Sequence, residues 1–143
     1  MSLSLAKFKM SNIVFNTSDT KGPVIVMIGR RDTGKSVLVR DLLYFHQDIP
    51  IGTVISGTEA GNGFYSHLVP KLFIHDNYNS SIVEKILARQ KMVVKHILND
   101  KKMNKKNTTD PRTFVILDDC LYDDKWARDS LMKQLFMNGE CLP

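Results

Sequence analysis

Apolar residues in this chain fall into short continuous runs, separated by longer stretches in which they recur at helical spacing. PVIVMIG at 23–29 is a β-branched run ending in Gly29. It predicts a strand buried on both faces, as in a parallel sheet. Ser36 to Phe45 predicts a helix with Val37, Leu38, Leu42 and Phe45 as its apolar stripe, and Pro50 closes the connection after it. IGTVISG at 51–57 predicts a second strand and LFIHD at 72–76 a third. The glycines of TEAGNGFYSHL between them predict an irregular loop. Ile82, Ile86, Val93, Val94 and Ile97 predict a long helix from Ser80 to about Asn99, with Ser81 and Glu84 spaced as a capping box. DKKMNKKNTTDPR at 100–112 is polar and lysine-rich and predicts a loop. TFVILDD predicts another buried strand, and LYDDKWARDSLMKQLFMN a turn and a helix. Near the start, Phe8 and Met10 alternate with Lys7 and Lys9, predicting a short strand before the turn-rich NTSDTKG.

Strands alternating with helices predict an α/β fold with a mainly parallel sheet flanked by helices. The chain has 143 residues, which suits a single domain over 1–143, without internal repeats or low-complexity tracts. Apolar residues make up 43% and charged residues 24%, the balance of a soluble globular protein. The formal net charge of +5 weakly favours an anionic partner such as nucleic acid. Cys120 and Cys141 are the only cysteines and lie in no metal-ligand spacing, so a reduced intracellular protein is expected. MSLSLAKFKM has no signal-peptide core, and no stretch approaches the ~20 apolar residues of a membrane span. A cytoplasmic chain is expected.

One segment carries specific chemistry. Gly29, four residues, then Gly34, Lys35 and Ser36 match G-x-x-x-x-G-K-[ST], the Walker A phosphate loop. The glycines let successive N–H groups face phosphate oxygens, and the helix N-terminus adds partial positive charge. Lys35 is expected at the β- and γ-phosphates and the Ser36 hydroxyl on Mg²⁺. The motif lies between the strand VIVMI and the helix SVLVRDLLYF, the setting it requires. The nucleotide-binding candidates are Gly29, Arg30, Arg31, Asp32, Thr33, Gly34, Lys35, Ser36 and Val37, with Arg30 and Arg31 the most solvated.

Hydrolysis also needs an acid on the metal and a group that orients water. FVILDDC places Asp118 at the C-terminal end of a strand, the edge where open α/β sheets bind ligands. Asp118 is expected on Mg²⁺ through water in a Walker B role, and Asp119 on the nucleophilic water. The alternative is that the pair caps the next helix or faces solvent. Glu59 sits in a loop where an acid can approach the γ-phosphate, or is a plain loop acid. His75 and Asp76 end the third strand with no direct role expected, and His46, His67 and His96 form no metal spacing. Lys101, Lys102, Lys105 and Lys106 are either a solvated run or a contact for the backbone of double-stranded DNA. Tyr122 and Trp126 are expected in a core or an interface.

GPVIVMIGRRDTGKSVLVRDLL, IGTVISGTE and FVILDDCL together resemble the packaging ATPases of large nucleocytoplasmic DNA viruses, the poxvirus-type branch of the FtsK/HerA superfamily. The resemblance covers about residues 10–139. It implies an additional-strand, RecA/FtsK-like P-loop fold acting as a ring that drives double-stranded DNA into a capsid, with ATP and Mg²⁺ as cofactors. By position, Gly29, Gly34, Lys35 and Ser36 would hold ATP and Mg²⁺, and Asp118 and Asp119 would be the metal-side acids. Family members continue past LFMNG with an Arg-His pair and further strands, whereas this chain reads Glu140-Cys141-Leu142-Pro143. The chain is therefore expected to be C-terminally truncated, and to act with further copies or a fuller homologue. Two other classes stand beside the motor. One is a P-loop kinase, disfavoured because Arg112 is the only arginine at 100–112. The other is a nucleotide-binding fragment without turnover. No N-K-x-D segment supports a GTPase.

Overall fold

The computed structural model describes residue 13 and residues 22–120 and 125–138. The expected N-terminal strand around Phe8 and Met10, Tyr122, Cys141 and the segment 139–143 lie outside the described residues. Five helices and three strands follow in the order α1 (Lys35–Phe45), β1 (Gly52–Ser56), α2 (Glu59–Asn62), β2 (Ile74–His75), α3 (Ser80–Lys102), β3 (Phe114–Asp118), α4 (Lys125–Arg128) and α5 (Ser130–Asn138) among the described residues. The sheet order is β2-β1-β3, and both pairings are parallel. Val54 stands opposite Ile74 and Ile116, and Ser56 opposite Asp118. The α/β architecture with a parallel sheet flanked by helices is as the pattern predicts.

β1 is buried along its whole length because strands flank both of its edges. Val54, Tyr65 and Val69 form a core cluster, with Val39, Phe64, Ile74, Phe114 and Ile116 packed against it. Gly52 opposes Phe114 across the ladder, and a Cβ on Gly52 would lie 2.0 Å from the Phe114 ring. Glycine at this position lets the ring cover the strand and reach the core cluster. β3 is only half-buried, because no strand pairs with its outer edge among the described residues.

Several local expectations are corrected. Residues 22–30 form no strand, and Val26 and Ile28 are 70% and 92% exposed. An apolar run records the demand for burial but does not supply a pairing partner, and no described strand pairs with this one. In α1 the inward residues are Val39, Leu42, Leu43 and His46, while Val37, Leu38 and Phe45 are exposed. These inward positions keep helical spacing but on a neighbouring face. The third strand shrinks to Ile74–His75, because Lys71–Phe73 closes a 3₁₀ turn. The N-cap of α3 is Asn79, whose side chain accepts the Ser81 N–H at 2.9 Å, in place of the Ser81–Glu84 box. Asn79 comes first in the chain and already satisfies that donor.

The basic segment also differs from a plain loop. Lys101 and Lys102 belong to the last turn of α3, where lysines suit the helix dipole. The rest is tied down. Gln90, buried in α3, donates to the Pro111 carbonyl at 2.8 Å. Arg112 bridges Asp110 at 2.6 Å and Asp48 at 2.7 Å, joining the approach to β3 to the end of the α1 connection. The Arg112 guanidinium, helped by the Arg112 backbone N–H, holds the Asp110 carboxyl below its ordinary range, against an opposing effect of burial. Asp129 separates α4 from α5 and accepts the Leu131 N–H at 2.8 Å and the Tyr78 hydroxyl at 2.6 Å. It also accepts from Ser80, so it ties the start of α3 to α5, which pack together.

Gly52→Ala must displace the Phe114 ring. It is expected to destabilise the fold by about 1–3 kcal/mol. Gly61→Ala is the control, because a Cβ there meets nothing within 4 Å. Thermal unfolding should show a Tm lowered by several degrees for the first variant and unchanged or raised for the second. Equal Tm values for the two would contradict the packing assigned to Gly52.

Candidate functional site

The phosphate-loop sequence lies on an exposed turn that opens α1. Asp32 and Gly34 have φ of 60° and 85°, in the left-handed region. Gly34 takes this conformation without steric cost, and Asp is among the residues that tolerate it best. A Cβ on Gly29 would lie 2.7 Å from the Thr33 hydroxyl oxygen, which donates to the Arg30 carbonyl at 2.7 Å. A side chain at position 29 would therefore push the Thr33 hydroxyl out of its bond to the Arg30 carbonyl.

Gly34 is the N-cap of α1, no side chain caps this end, and the first turn holds no acidic residue. The first intrahelical bond runs from the Leu38 N–H to the Gly34 carbonyl at 3.0 Å. The N–H groups of Lys35, Ser36 and Val37 precede that ladder, so they have no intrahelical acceptor. They sit where the helix dipole is positive, which suits an anion. The Lys35 ammonium donates to the carbonyls of Gly29 at 3.0 Å and Arg30 at 2.7 Å. Its charge is held across the loop by neutral acceptors, which a phosphate oxygen can replace with a stronger, charge-assisted bond. Arg30 and Arg31 are exposed, as expected.

Asp118 ends β3 and Asp119 follows with φ of 51°. This left-handed residue turns the chain directly after the strand. The Asp118 carbonyl accepts the Gly57 N–H at 3.3 Å, and its carboxylate Oδ2 accepts the Tyr65 hydroxyl at 2.8 Å. Tyr65 is almost fully buried. Burial first, then the hydrogen bond to Asp118, pushes its pKa well above the ordinary phenol range, so it remains a donor. Glu59 is also buried, and its two carboxylate oxygens accept the N–H groups of Tyr65 and Ser66, each at 2.8 Å. Glu59 therefore fastens this segment, which was expected to be an irregular loop and instead holds α2, opened by Glu59, and a 3₁₀ turn at Tyr65–His67. Sequence reading passed over Tyr65, because it lies 53 positions from Asp118 in a segment read as irregular. Its one signal was a large aromatic residue in the loop leaving the ligand edge of β1.

The two halves of the site rest on one core. Val39 of α1 and Ile116 of β3 both pack on the cluster of Val54, Tyr65 and Val69. No hydrogen bond or ion pair among the described residues joins residues 29–36 to Asp118 or Asp119. No group of three His, Cys, Asp or Glu side chains forms a metal cage among the described residues. The donors present, the Ser36 hydroxyl and the Asp118 carboxylate, suit Mg²⁺, which takes few protein ligands and completes its shell with phosphate and water. His75 is half-buried, with its pKa lowered mainly by burial, and His96 lies 3.3 Å from Asp100. Neither joins the site. Lys101, Lys102, Lys105 and Lys106 are all exposed, and Trp126 is half-buried.

Comparison with known proteins finds viral relatives. An uncharacterized protein of Invertebrate iridescent virus 6 is 42% identical over 126 residues, covering 87% of this chain and 44% of that protein. One of Acanthamoeba polyphaga mimivirus is 37% identical over 136 residues, covering 94% of this chain and 45% of its own length. One of Frog virus 3 (isolate Goorha) is 34% identical over 138 residues, covering 96% and 40%. The chain thus spans less than half the length of these curated relatives. No family model and no solved structure matches the chain. No helix among the described residues is long and apolar enough to cross a membrane.

Cys120 reports on the acid end of the site. Its thiol is buried and donates to the Ile55 carbonyl at 3.3 Å. Burial, with Asp118 and Asp119 nearby, pushes its pKa from 9.0 to about 11. Only the thiolate is alkylated, so iodoacetamide at pH 8 should label Cys120 on the order of 100-fold more slowly in the folded chain than in urea. Peptide mass spectrometry separates it from Cys141. Equal labelling rates in both states would contradict the burial of this strand end.

Proposed function

We propose that this chain carries the nucleotide site of an ATP-hydrolysing P-loop motor domain, of the additional-strand, RecA/FtsK-like kind, working on double-stranded DNA during viral packaging. The observation that carries the reading is the uncapped N-terminus of α1, with Gly34 in the left-handed region and the Gly29–Ser36 motif wrapped over it. Backbone N–H groups of the loop and of Lys35, Ser36 and Val37 would bind the phosphates. Lys35 would leave the carbonyls of Gly29 and Arg30 and neutralise the γ-phosphate oxygens. Ser36 and Asp118 would hold Mg²⁺, which when bound draws charge from the β- and γ-phosphate oxygens. Asp119 would orient the attacking water and accept its proton. Water adds to the γ-phosphorus, the bond to the β–γ bridging oxygen breaks, and ADP and phosphate leave.

The choice of motor rests on the resemblance of GPVIVMIGRRDTGKSVLVRDLL, IGTVISGTE and FVILDDCL to packaging ATPases; the relatives found are viral and uncharacterized. The exposed lysines from Lys101 to Lys106 supply charge for phosphate contacts with duplex DNA, a role that needs only charge and reach. Capsid proteins and further copies of the chain or a longer homologue are the partners this reading implies. A second reading is nucleotide binding without turnover. It is favoured by the absence of any bond between the loop and Asp118 or Asp119 among the described residues, and by the unpaired segment 22–30.

Lys35→Ala should weaken ATP binding at least about ten-fold. Asp119→Asn should leave ATP binding intact and lower kcat about 100-fold or more. Steady-state phosphate release, measured with and without duplex DNA, should show DNA stimulation in the wild type alone. ATP binding without phosphate release would replace the motor with the binding-only reading, and phosphate transfer to a nucleoside would replace it with a kinase.

A further inference from the structure

We infer that Tyr65 is the positioning residue of the metal-side carboxylate, and that Glu59 and Tyr65 form a buried fastening that aims Asp118; the inference rests on the nucleotide reading above. The Tyr65 hydroxyl donates to Oδ2 of Asp118 at 2.8 Å. No described hydrogen bond reaches Oδ1, which is left for a further partner. A carboxylate fixed through one oxygen presents the other in a set direction. At the end of a half-buried strand, an Asp side chain without this donor would sample several rotamers.

The tyrosine is itself held on both sides. Its ring lies in the core cluster with Val54 and Val69, and Phe64 packs edge-on to it at 5.0 Å between centroids. Its backbone N–H is bound by Glu59, which takes the Ser66 N–H with its other oxygen. A buried carboxylate with both oxygens on backbone donors is well satisfied and resists displacement. Gly57, next to the same loop, donates its N–H to the Asp118 carbonyl. Backbone and side chain of Asp118 are therefore both fastened to the segment leaving β1.

The test uses Tyr65→Phe, which keeps the ring and removes only the oxygen, beside Glu59→Gln and Asp118→Asn. ATP affinity is measured in EDTA and in saturating Mg²⁺. In Tyr65→Phe the affinity in EDTA should equal that of the wild type, while the gain from Mg²⁺ falls about ten-fold or more. Tyr65→Phe added to Asp118→Asn should cause no further loss. A purely structural tyrosine would instead weaken both affinities equally, which would overturn the proposal, as would an unchanged gain from Mg²⁺. In nucleotide-free protein, the ¹³C resonance of the Asp118 carboxyl should shift in Tyr65→Phe and stay in place in Lys35→Ala. If wild-type chain binds no ATP, the nucleotide reading fails, and that resonance alone decides the tyrosine's role: a shift supports it and an unchanged line sinks it.

Discussion

The parallel ladder between β1 and β3 is the constraint from which the rest of the structure follows. β1 has a strand on each edge and no exposed residue, so its backbone groups must pair and its side chains must pack. Register sets Ser56 opposite Asp118, which places the acid pair at the sheet edge where the loop leaving β1 returns. Gly52 sets the other end by admitting the Phe114 ring. Between them, Val54 carries the cluster on which α1, Tyr65 and β3 all rest. A one-residue slip would move Asp118 off the edge and put polar side chains into the core.

The site consequently combines a rigid half with an open half. Asp118 is held by strand pairing, by Gly57 and by Tyr65, whose own position depends on the buried Glu59. The candidate loop 29–36 is exposed from Gly29 to Thr33 and half-buried from Gly34 to Ser36, and is organised by its own short bonds, from Thr33 to the Arg30 carbonyl and from Lys35 to the carbonyls of Gly29 and Arg30. These bonds keep the turn closed around a cation and leave the first N–H groups of α1 unsatisfied by the helix. An arriving polyphosphate would exchange neutral acceptors for charged ones, which provides a driving force at the loop without rearranging the core.

Much of this was legible in the sequence, for physical reasons that differ between elements. β1 and β3 were readable because Val54-Ile55 and Phe114–Leu117 are short apolar runs bounded by polar residues, although β3 is only half-buried where full burial was expected, and α3 because its inward residues keep a helical interval over many turns. Gly29 and Gly34 were readable as turn glycines, because the spacing of the motif marks where the chain passes close to itself and where the backbone turns left-handed before α1. The segment 22–30 was misread as a strand because hydrophobicity says that burial is favourable but not which neighbour supplies it. The inward face of α1 was misplaced by one position because both faces carry leucine and valine. The Asn79 cap was overlooked because Ser81 and Glu84 offer a competing signal two residues on. Tyr65 as the partner of Asp118, and Glu59 as the acid that holds the Tyr65 N–H, were invisible because both contacts depend on the fold of a segment without periodicity.

The central claim is that the N-terminus of α1 is a preorganised phosphate cradle. Amide NMR of the ¹⁵N-labelled chain, titrated with Mg·ATP, tests it directly. The account predicts saturable shifts concentrated in the N–H groups from Arg30 to Val37, together with loss of the Lys35 bonds to Gly29 and Arg30. Saturable binding whose shifts fall elsewhere, or spectra unchanged at millimolar nucleotide, would contradict it.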